Sequence, residues 1–242
     1  MSNLLIEIGN TALKAAWTDG LTLGKTYRYQ GEKKMDFILS ITSKEKPLVM
    51  TVATVGTVTS EEKVILQSEC SHLLILDSTN TDYLKRYGLP DHLSYDRAAD
   101  IEAVKNMFKG KGCTVFDFGT TLTIDHIDAD GEYRGGNVSP GCRMRFNALN
   151  RYSRNLPLLS NPSDFKMEGS SLETSVGSGV MMGMIFEIEG YLRLHPGNIA
   201  VFTGGDAIYF AKRMKNSIFV ICNLSLIGLA LITEDYVRTN IQ

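Results

Sequence analysis

The sequence predicts an α/β protein made of two related halves, each a mixed β-sheet with helices packed on it, with a cleft between them. Three observations carry this. The chain of 242 residues is long enough for two halves that each bury a core. One pattern occurs twice, as Leu5-Ile6-Glu7-Ile8-Gly9-Asn10-Thr11 and as Val115-Phe116-Asp117-Phe118-Gly119-Thr120-Thr121. Each copy reads apolar, apolar, acid, apolar, Gly, small polar, Thr, and each precedes strand and helix signals in alternation. The halves divide at 1–109 and 110–242, with no Pro/Gly/Ser-rich linker between them.

Taken in order, each half opens with an acid-bearing apolar strand that ends at the glycine turn. A second apolar strand returns, and an Asp-Gly pair (Asp19-Gly20, Asp130-Gly131) turns it into a third, at 26–29 and from 133 onward. In the first half, 47–55 reads as a buried strand, Ser60 caps a helix carrying Val64, Ile65 and Leu66, and 73–76 is a further strand. Ala98, Ile101, Val104, Met107 and Phe108 recur at helical spacing over 97–108, with Gly110 as the stop. In the second half, 175–194 is a long helix, 199–202 a strand, 207–214 a helix, 218–222 a strand and 224–232 a closing helix. The segment 150–173 lacks a period and is expected to be irregular. Gly135-Gly136-Asn137-Val138-Ser139-Pro140-Gly141 is too rich in turn formers for a regular element. It reads as a loop pressed on a ligand or partner subunit, with Arg143 and Arg145 behind it.

Composition excludes several classes. With 25 Lys+Arg against 27 Asp+Glu the net charge is −2, which leaves neither a general basic nucleic-acid surface nor an acidic tail. Hydrophobic content of 43% and charged content of 21% are those of an ordinary globular protein. The start, Met1-Ser2-Asn3-Leu4-Leu5, has no basic region or cleavage site of a signal peptide. The apolar run 218–232 is broken by Asn223 and Ser225 and is shorter than the ~20 residues of a membrane span. A cytoplasmic protein with no nucleic-acid or membrane partner is expected. Cys70, Cys113, Cys142 and Cys222 are scattered, as are His72, His92, His126 and His195, so no zinc spacing is present and the thiols read as reduced.

Four constellations carry chemistry. At Glu7-Ile8-Gly9-Asn10-Thr11 the glycine lets backbone approach a ligand, and the N–H groups of Asn10 and Thr11 can form an anion nest. A carboxylate at such a strand end suits a Mg²⁺ that bridges phosphates, and Lys14 adds a positive charge. The same physics applies to Asp117-Phe118-Gly119-Thr120-Thr121, and two such turns facing across a cleft would hold a nucleoside triphosphate. No Walker loop is present: Gly24-Lys25-Thr26 has only its tail. Thr203-Gly204-Gly205-Asp206 follows a strand and opens a helix, either to let a flat adenine or ribose lie on backbone or as a plain β–α turn. In Tyr87-Gly88-Leu89-Pro90 and Ser94-Tyr95-Asp96-Arg97, Asp96 stands at a helix start, whose dipole favours an ionised carboxylate. It reads either as the base of a phosphoryl transfer or as an ordinary cap, and Arg97 either as an anion ligand or as a solvated residue.

Together these residues resemble the type III pantothenate kinase family, part of the acetate-and-sugar-kinase, heat-shock protein and actin superfamily. The resemblance covers nearly the whole chain with its motifs in order. The family's Asp-x-Gly-Asn-Thr-x-x-Lys matches Glu7 through Lys14, and its Tyr-x-x-Pro and Gly-x-Asp-Arg match Tyr87, Pro90 and Ser94 through Arg97. Its Asp-x-Gly-Thr with a later Asp matches Asp117, Gly119, Thr120 and Asp125. Its Gly-Gly-x-x-x-Pro-Gly matches Gly135 through Gly141, and its Thr-Gly-Gly-Asp matches Thr203 through Asp206.

The resemblance implies a duplicated ribonuclease-H-like (actin-like ATPase) fold that phosphorylates pantothenate to 4′-phosphopantothenate with ATP and Mg²⁺, the first step of coenzyme A biosynthesis. It implies ATP binding by Glu7, Ile8, Gly9, Asn10, Thr11, Ala12, Leu13, Lys14, Thr120, Gly204 and Gly205. It implies pantothenate binding by Tyr87, Ser94, Tyr95, Asp96 and Arg97, with Asp96 as proton acceptor. Asp117 would bind a monovalent cation, potassium or ammonium, and the protein would be a homodimer. Three positions depart from the pattern: Glu7 replaces Asp, Ser94 replaces Gly, and Leu172 stands where a substrate-contacting Thr belongs, with Ser171 and Thr174 nearby. Two other readings share the fold: another kinase or a phosphatase of the superfamily, and a non-catalytic regulator of the transcriptional-activator kind.

Overall fold

The computed structural model describes residues 2–241. In chain order its elements are β1 (Asn3–Ile8), β2 (Leu13–Asp19), β3 (Thr22–Tyr29), α1 (Lys34–Thr42), β4 (Val49–Thr54), α2 (Ser60–Ser68), β5 (His72–Leu76), α3 (Asp82–Arg86) and α4 (Tyr95–Met107). There follow β6 (Cys113–Phe118), β7 (Thr121–Ile127), β8 (Tyr133–Pro140), α5 (Cys142–Tyr152), α6 (Leu172–Leu194), β9 (Ile199–Gly204), α7 (Ala207–Ala211), β10 (Ile218–Val220) and α8 (Leu224–Asn240). Two compact units result. One comprises the residues up to Lys109 together with those from Asn223 onward; the other is Gly110–Cys222.

The sequence repeat is a repeat of topology. The first sheet has the order β3-β2-β1-β4-β5 and the second, read the same way, β8-β7-β6-β9-β10. In each, the acid-bearing strand is central, antiparallel to the strand that follows it and parallel to β4 or β9. Central position explains composition: β1, β4 and β6 are buried along nearly their whole length and read as near-continuous apolar runs.

In the first unit, Leu4 and Ile6 of β1 join Ile38 of α1 and Leu66 of α2 in one core. Period-two alternation sends Asn3 and Glu7 to the opposite face, where both meet α8. In the second unit, Phe116 packs edge-on against Phe202, and Phe118 lies tilted against Phe202 and stacked on Phe210, with ring centroids 4.9–5.1 Å apart, in a core with α5 and α6. Among the described residues no helix is long and apolar enough to cross a membrane.

Several expectations need correction. The closing helix, expected in the second half, belongs as α8 to the first unit and runs to Asn240 rather than 232. Its reason is contact: a Cβ at Gly228 would overlap the backbone of Ala99, so α8 and α4 cross with their backbones touching. The glycine-rich stretch from Gly135 is not an irregular loop but most of β8, paired antiparallel with β7 from Tyr133 to Pro140. It is an edge strand, with one ladder to satisfy, a register shift beside Gly135 and Pro140 as its last residue. Thr59, not Ser60, caps α2, through a reciprocal box with Glu62. The third strand β3 starts at Thr22 rather than 26, α6 starts at Leu172 rather than 175, and α4 ends before Phe108 rather than at Gly110. The last strand β10 stops at Val220, and α7 stops at Ala211, where Lys212 through Met214 continue only as turns.

Candidate active site

The first glycine corner joins β1 to β2. Gly9 N–H donates to the Ala12 carbonyl (3.0 Å), closing a tight turn that leaves Asn10 and Thr11 exposed. The antiparallel register sets Glu7 directly across from Lys14. Lys14 Nζ lies 3.1 Å from both Glu7 carboxylate oxygens, and the Ser225 hydroxyl of α8 donates to the same carboxylate. Glu7 is 8% exposed, so its charge is matched within the unit rather than by water. A second cation reaches the turn from α1: Lys34 Nζ donates to the Gly9 carbonyl at 3.2 Å.

The expected acceptor residues lie in the same unit. Helix α3 ends in paired bonds, Gly88 N–H to Lys85 O and Leu89 N–H to Leu84 O, the Schellman pattern that stops a helix. This leaves Tyr87 at the α3 end, where its hydroxyl donates to Asp235 of α8 at 3.2 Å. Burial, and then the Asp235 charge, push that phenol well above its ordinary pKa. Asp235 also pairs with Arg86 and Arg238. A cavity of about 310 Å³ lies beside Tyr87, bounded also by Lys105, Lys109 and Leu231.

Asp96 is the second residue of α4, and its Oδ1 accepts from the N–H of Arg97 at 2.9 Å. Ser94 caps the helix by position, with φ −72° and ψ 151°, extended backbone that any residue adopts. The Cβ it carries in place of the family's glycine therefore costs no backbone strain. Tyr95 turns inward: it is 3% exposed, and its hydroxyl donates to the Asn80 carbonyl at 2.6 Å. It anchors the start of α4 to the loop after β5, a structural duty beside its expected place in a binding site.

The second corner is built in the other unit. There the β6–β7 turn is shorter, with Gly119 N–H donating to the Thr121 carbonyl at 3.0 Å. Parallel pairing puts Asp117 beside Thr203 and Phe118 beside Gly204. Gly204 has φ +90°, and a Cβ there would overlap the Asp117 carboxylate and the Phe118 backbone. Only glycine fits this approach. Gly205 N–H donates to the Phe118 carbonyl (2.9 Å) and Gly141 N–H to the Thr120 carbonyl (3.1 Å). Asp117, Thr120, Gly204 and Gly205, four separate sequence candidates, thus share one corner, and Gly141 closes it from the end of β8.

Asp206 occupies the α7 cap position without capping the helix. It accepts from Asn161 at 3.1 Å, and burial raises its carboxyl pKa against that bond. Leu172 opens α6 and is exposed, while Ser171 and Thr174 bond each other in a capping box. No group of three or more His, Cys, Asp or Glu suited to a metal occurs among the described residues.

Sequence reasoning missed Lys34, Ser225 and Asp235. Ser225 and Gly228, spaced three apart on α8, were a usable sign of a helix packed close to its neighbour. Lys34 carried no local signal, because Gly9 is distant in sequence, and the local pair of Asp235 with Arg238 gave no hint of its distant partners Arg86 and Tyr87.

A duplicated mixed sheet carrying a strand–glycine–hydroxyl corner in each copy is the fold of the actin-like ATPases and sugar kinases. Within that class the chain belongs to the type III pantothenate kinase family, whose model matches residues 3–194. It is 35% identical over 237 residues to the type III pantothenate kinase of Phocaeicola vulgatus, covering 94% of this chain and 96% of that one. Among solved structures it resembles a conserved Baf family protein of Campylobacter jejuni described as a transcriptional activator, with a TM-score of 0.65 at 20% identity over 97% and 99% of the two chains. It also resembles the activator of 2-hydroxyisocaproyl-CoA dehydratase from Clostridium difficile with bound ADPNP, with a TM-score of 0.59 at 11% identity over 98% and 96%. At these identities the two structures speak for the fold alone.

Proposed function

We propose that this chain is a pantothenate kinase that transfers the γ-phosphoryl group of ATP, bound with Mg²⁺, to the primary hydroxyl of pantothenate. The family match across residues 3–194 is the observation that carries this reading. Asp96 accepts the hydroxyl proton as the phosphoryl group departs; in such a loose transition state position counts for more than base strength. It stands in the first turn of α4, and Tyr95 holds that turn in place. Tyr87, Ser94 and Arg97 bind pantothenate around it.

Glu7 through Lys14, Thr120, Gly204 and Gly205 bind ATP, with the turn that carries the exposed residues Asn10 and Thr11 facing the phosphates. Asp117 holds the monovalent cation. The corner suits it in donor type, because the Asp117 carboxylate stands beside the Phe118 carbonyl at Gly204, and oxygens are the hard donors such ions take. When bound, the cation would offset charge on the phosphates, and the backbone bonds of Gly119, Gly141 and Gly205 hold the corner that would carry it. A homodimer in the cytoplasm completes the reading.

The test is a coupled ADP assay across pantothenate, sugars and no acceptor, with and without potassium, and product mass by spectrometry. Pantothenate-dependent ADP and a product heavier by one phosphoryl group are expected, with turnover falling when potassium and ammonium are removed. ADP release without acceptor indicates a phosphatase of the same superfamily and overturns the proposal. Light scattering of the purified protein reads the dimer.

A further inference from the structure

We propose that Lys34, at the start of α1, is a phosphate-binding residue of the ATP site and supplies the net positive charge of the first corner. The inference rests on the reading of the Gly9 turn as a phosphate site. The turn has two lysines, and their situations differ. Lys14 is bound to both oxygens of Glu7, so its charge is matched on the spot. Lys34 donates to the neutral carbonyl of Gly9 at 3.2 Å, and no acidic side chain lies within ion-pair distance of it among the described residues. Of the three charged side chains bonded at this turn, Glu7 and Lys14 offset each other and Lys34 is the remaining positive one.

Reach and geometry agree with this role. The Lys34 ammonium stands at the backbone of the turn whose Asn10 and Thr11 are exposed. A lysine there has two further N–H donors free to meet phosphate oxygens. The half-buried stem of Lys34, rooted in the first turn of α1, narrows the positions its head can take. The carbonyl bond is a holding contact that a phosphate can replace, because a charged acceptor makes the stronger hydrogen bond.

The test compares Lys34→Gln, Lys34→Arg and Lys14→Gln in the full-length protein. Two quantities are read: the dissociation constant of a non-hydrolysable ATP analogue by calorimetry, and steady-state KM and kcat. Lys34→Gln is expected to weaken the analogue and raise the ATP KM about tenfold, the scale of one charge-assisted hydrogen bond. The pantothenate KM should hold, and the salt dependence of analogue binding should become shallower. Lys34→Arg, which keeps the charge, should recover most of the affinity. Unchanged analogue affinity in Lys34→Gln, with affinity lost in Lys14→Gln, overturns the proposal while leaving the turn a phosphate site. Unchanged affinity in both lysine-to-glutamine variants overturns the turn's assignment, and the proposal with it.

Discussion

Glu7 and Asp117 occupy the same place in two copies of one topology, yet their surroundings have diverged. Glu7 faces Lys14 across the ladder and takes a hydroxyl from α8, so side chains hold it. Asp117 faces the neutral Thr123 across its ladder, and the backbone of Gly204 presses on it from the parallel strand. The first corner is set by charge matching, the second by close backbone packing. Duplication preserved the scaffold and the acid, and the two copies found different ways to keep a carboxylate at a strand end. The first unit also carries Asp96, in the first turn of α4. The longer Glu7 belongs to this divergence, since its extra methylene ends where Lys14 and Ser225 can both take hold.

The comparison can be broken most severely at the glycines on which each unit depends. In the first, Gly228→Ala drives a methyl into the Ala99 backbone and separates α8 from α4. A loss of about 3 kcal/mol in unfolding free energy is expected, read by urea denaturation. Nucleotide and pantothenate affinity should both fall, because α8 also holds Glu7 and Tyr87. In the second, Gly204→Ala meets a positive φ and a crowded corner, with an expected cost of about 2 kcal/mol. Nucleotide affinity should drop there while Tyr87 and the pantothenate side are spared. Equal losses for both ligands in Gly204→Ala would contradict the division of labour.

Acid should separate the units more gently. His126 on β7 is buried, with its ring centroid 4.0 Å from that of His195 in a tilted pair and near Tyr191, and its Nδ1 lies 3.3 Å from the Thr114 hydroxyl. Burial, and then the charge of His195, hold its pKa down to about 4. The unfolded imidazole titrates near ~6.5, so the unfolded chain takes up a proton before the folded one does. Stability of the second unit is therefore full above about 6.5 and declines as pH falls toward 4. In the first unit, burial opposes the charge of Asp77, but hydrogen bonds from Thr79 and Val58 outweigh it and hold its carboxyl below the ordinary value. Its contribution is lost only at still lower pH. Hydrogen exchange followed from pH 7 to pH 4 should show the second unit loosening first, and His126→Gln should remove most of that difference.

Legibility in the sequence followed the range of the interactions. Both corners could be read because a hairpin is local: acid, glycine and hydroxyl lie within five residues of one another. Ordered motifs also gave Asp96 a helix start without a structure. Elements fixed by distant partners were misread. The glycine-rich β8 is a strand only because β7 offers it a ladder, and the apolar run of α8 announces burial without saying against what. Three helices carry no local mark in the sequence: α1 and α5 follow Lys33 and Gly141, cap positions with no side-chain cap bond, and α3 is five residues long. The ion pair of Glu7 with Lys14 needed only the register, which follows once the turn is placed, whereas the Ser225 contact spans nearly the whole chain.

The most direct measurement is on Asp96→Asn, an isosteric change that keeps a hydrogen-bond acceptor for Arg97 N–H but cannot take a proton. Phosphopantothenate formation and binding of a non-hydrolysable ATP analogue would be followed side by side. Turnover should fall by roughly 10²–10⁴-fold, the contribution of a positioned base, while analogue affinity stays within about threefold. Turnover near that of the parent protein would remove the base from Asp96 and with it the account of how this chain moves a phosphoryl group.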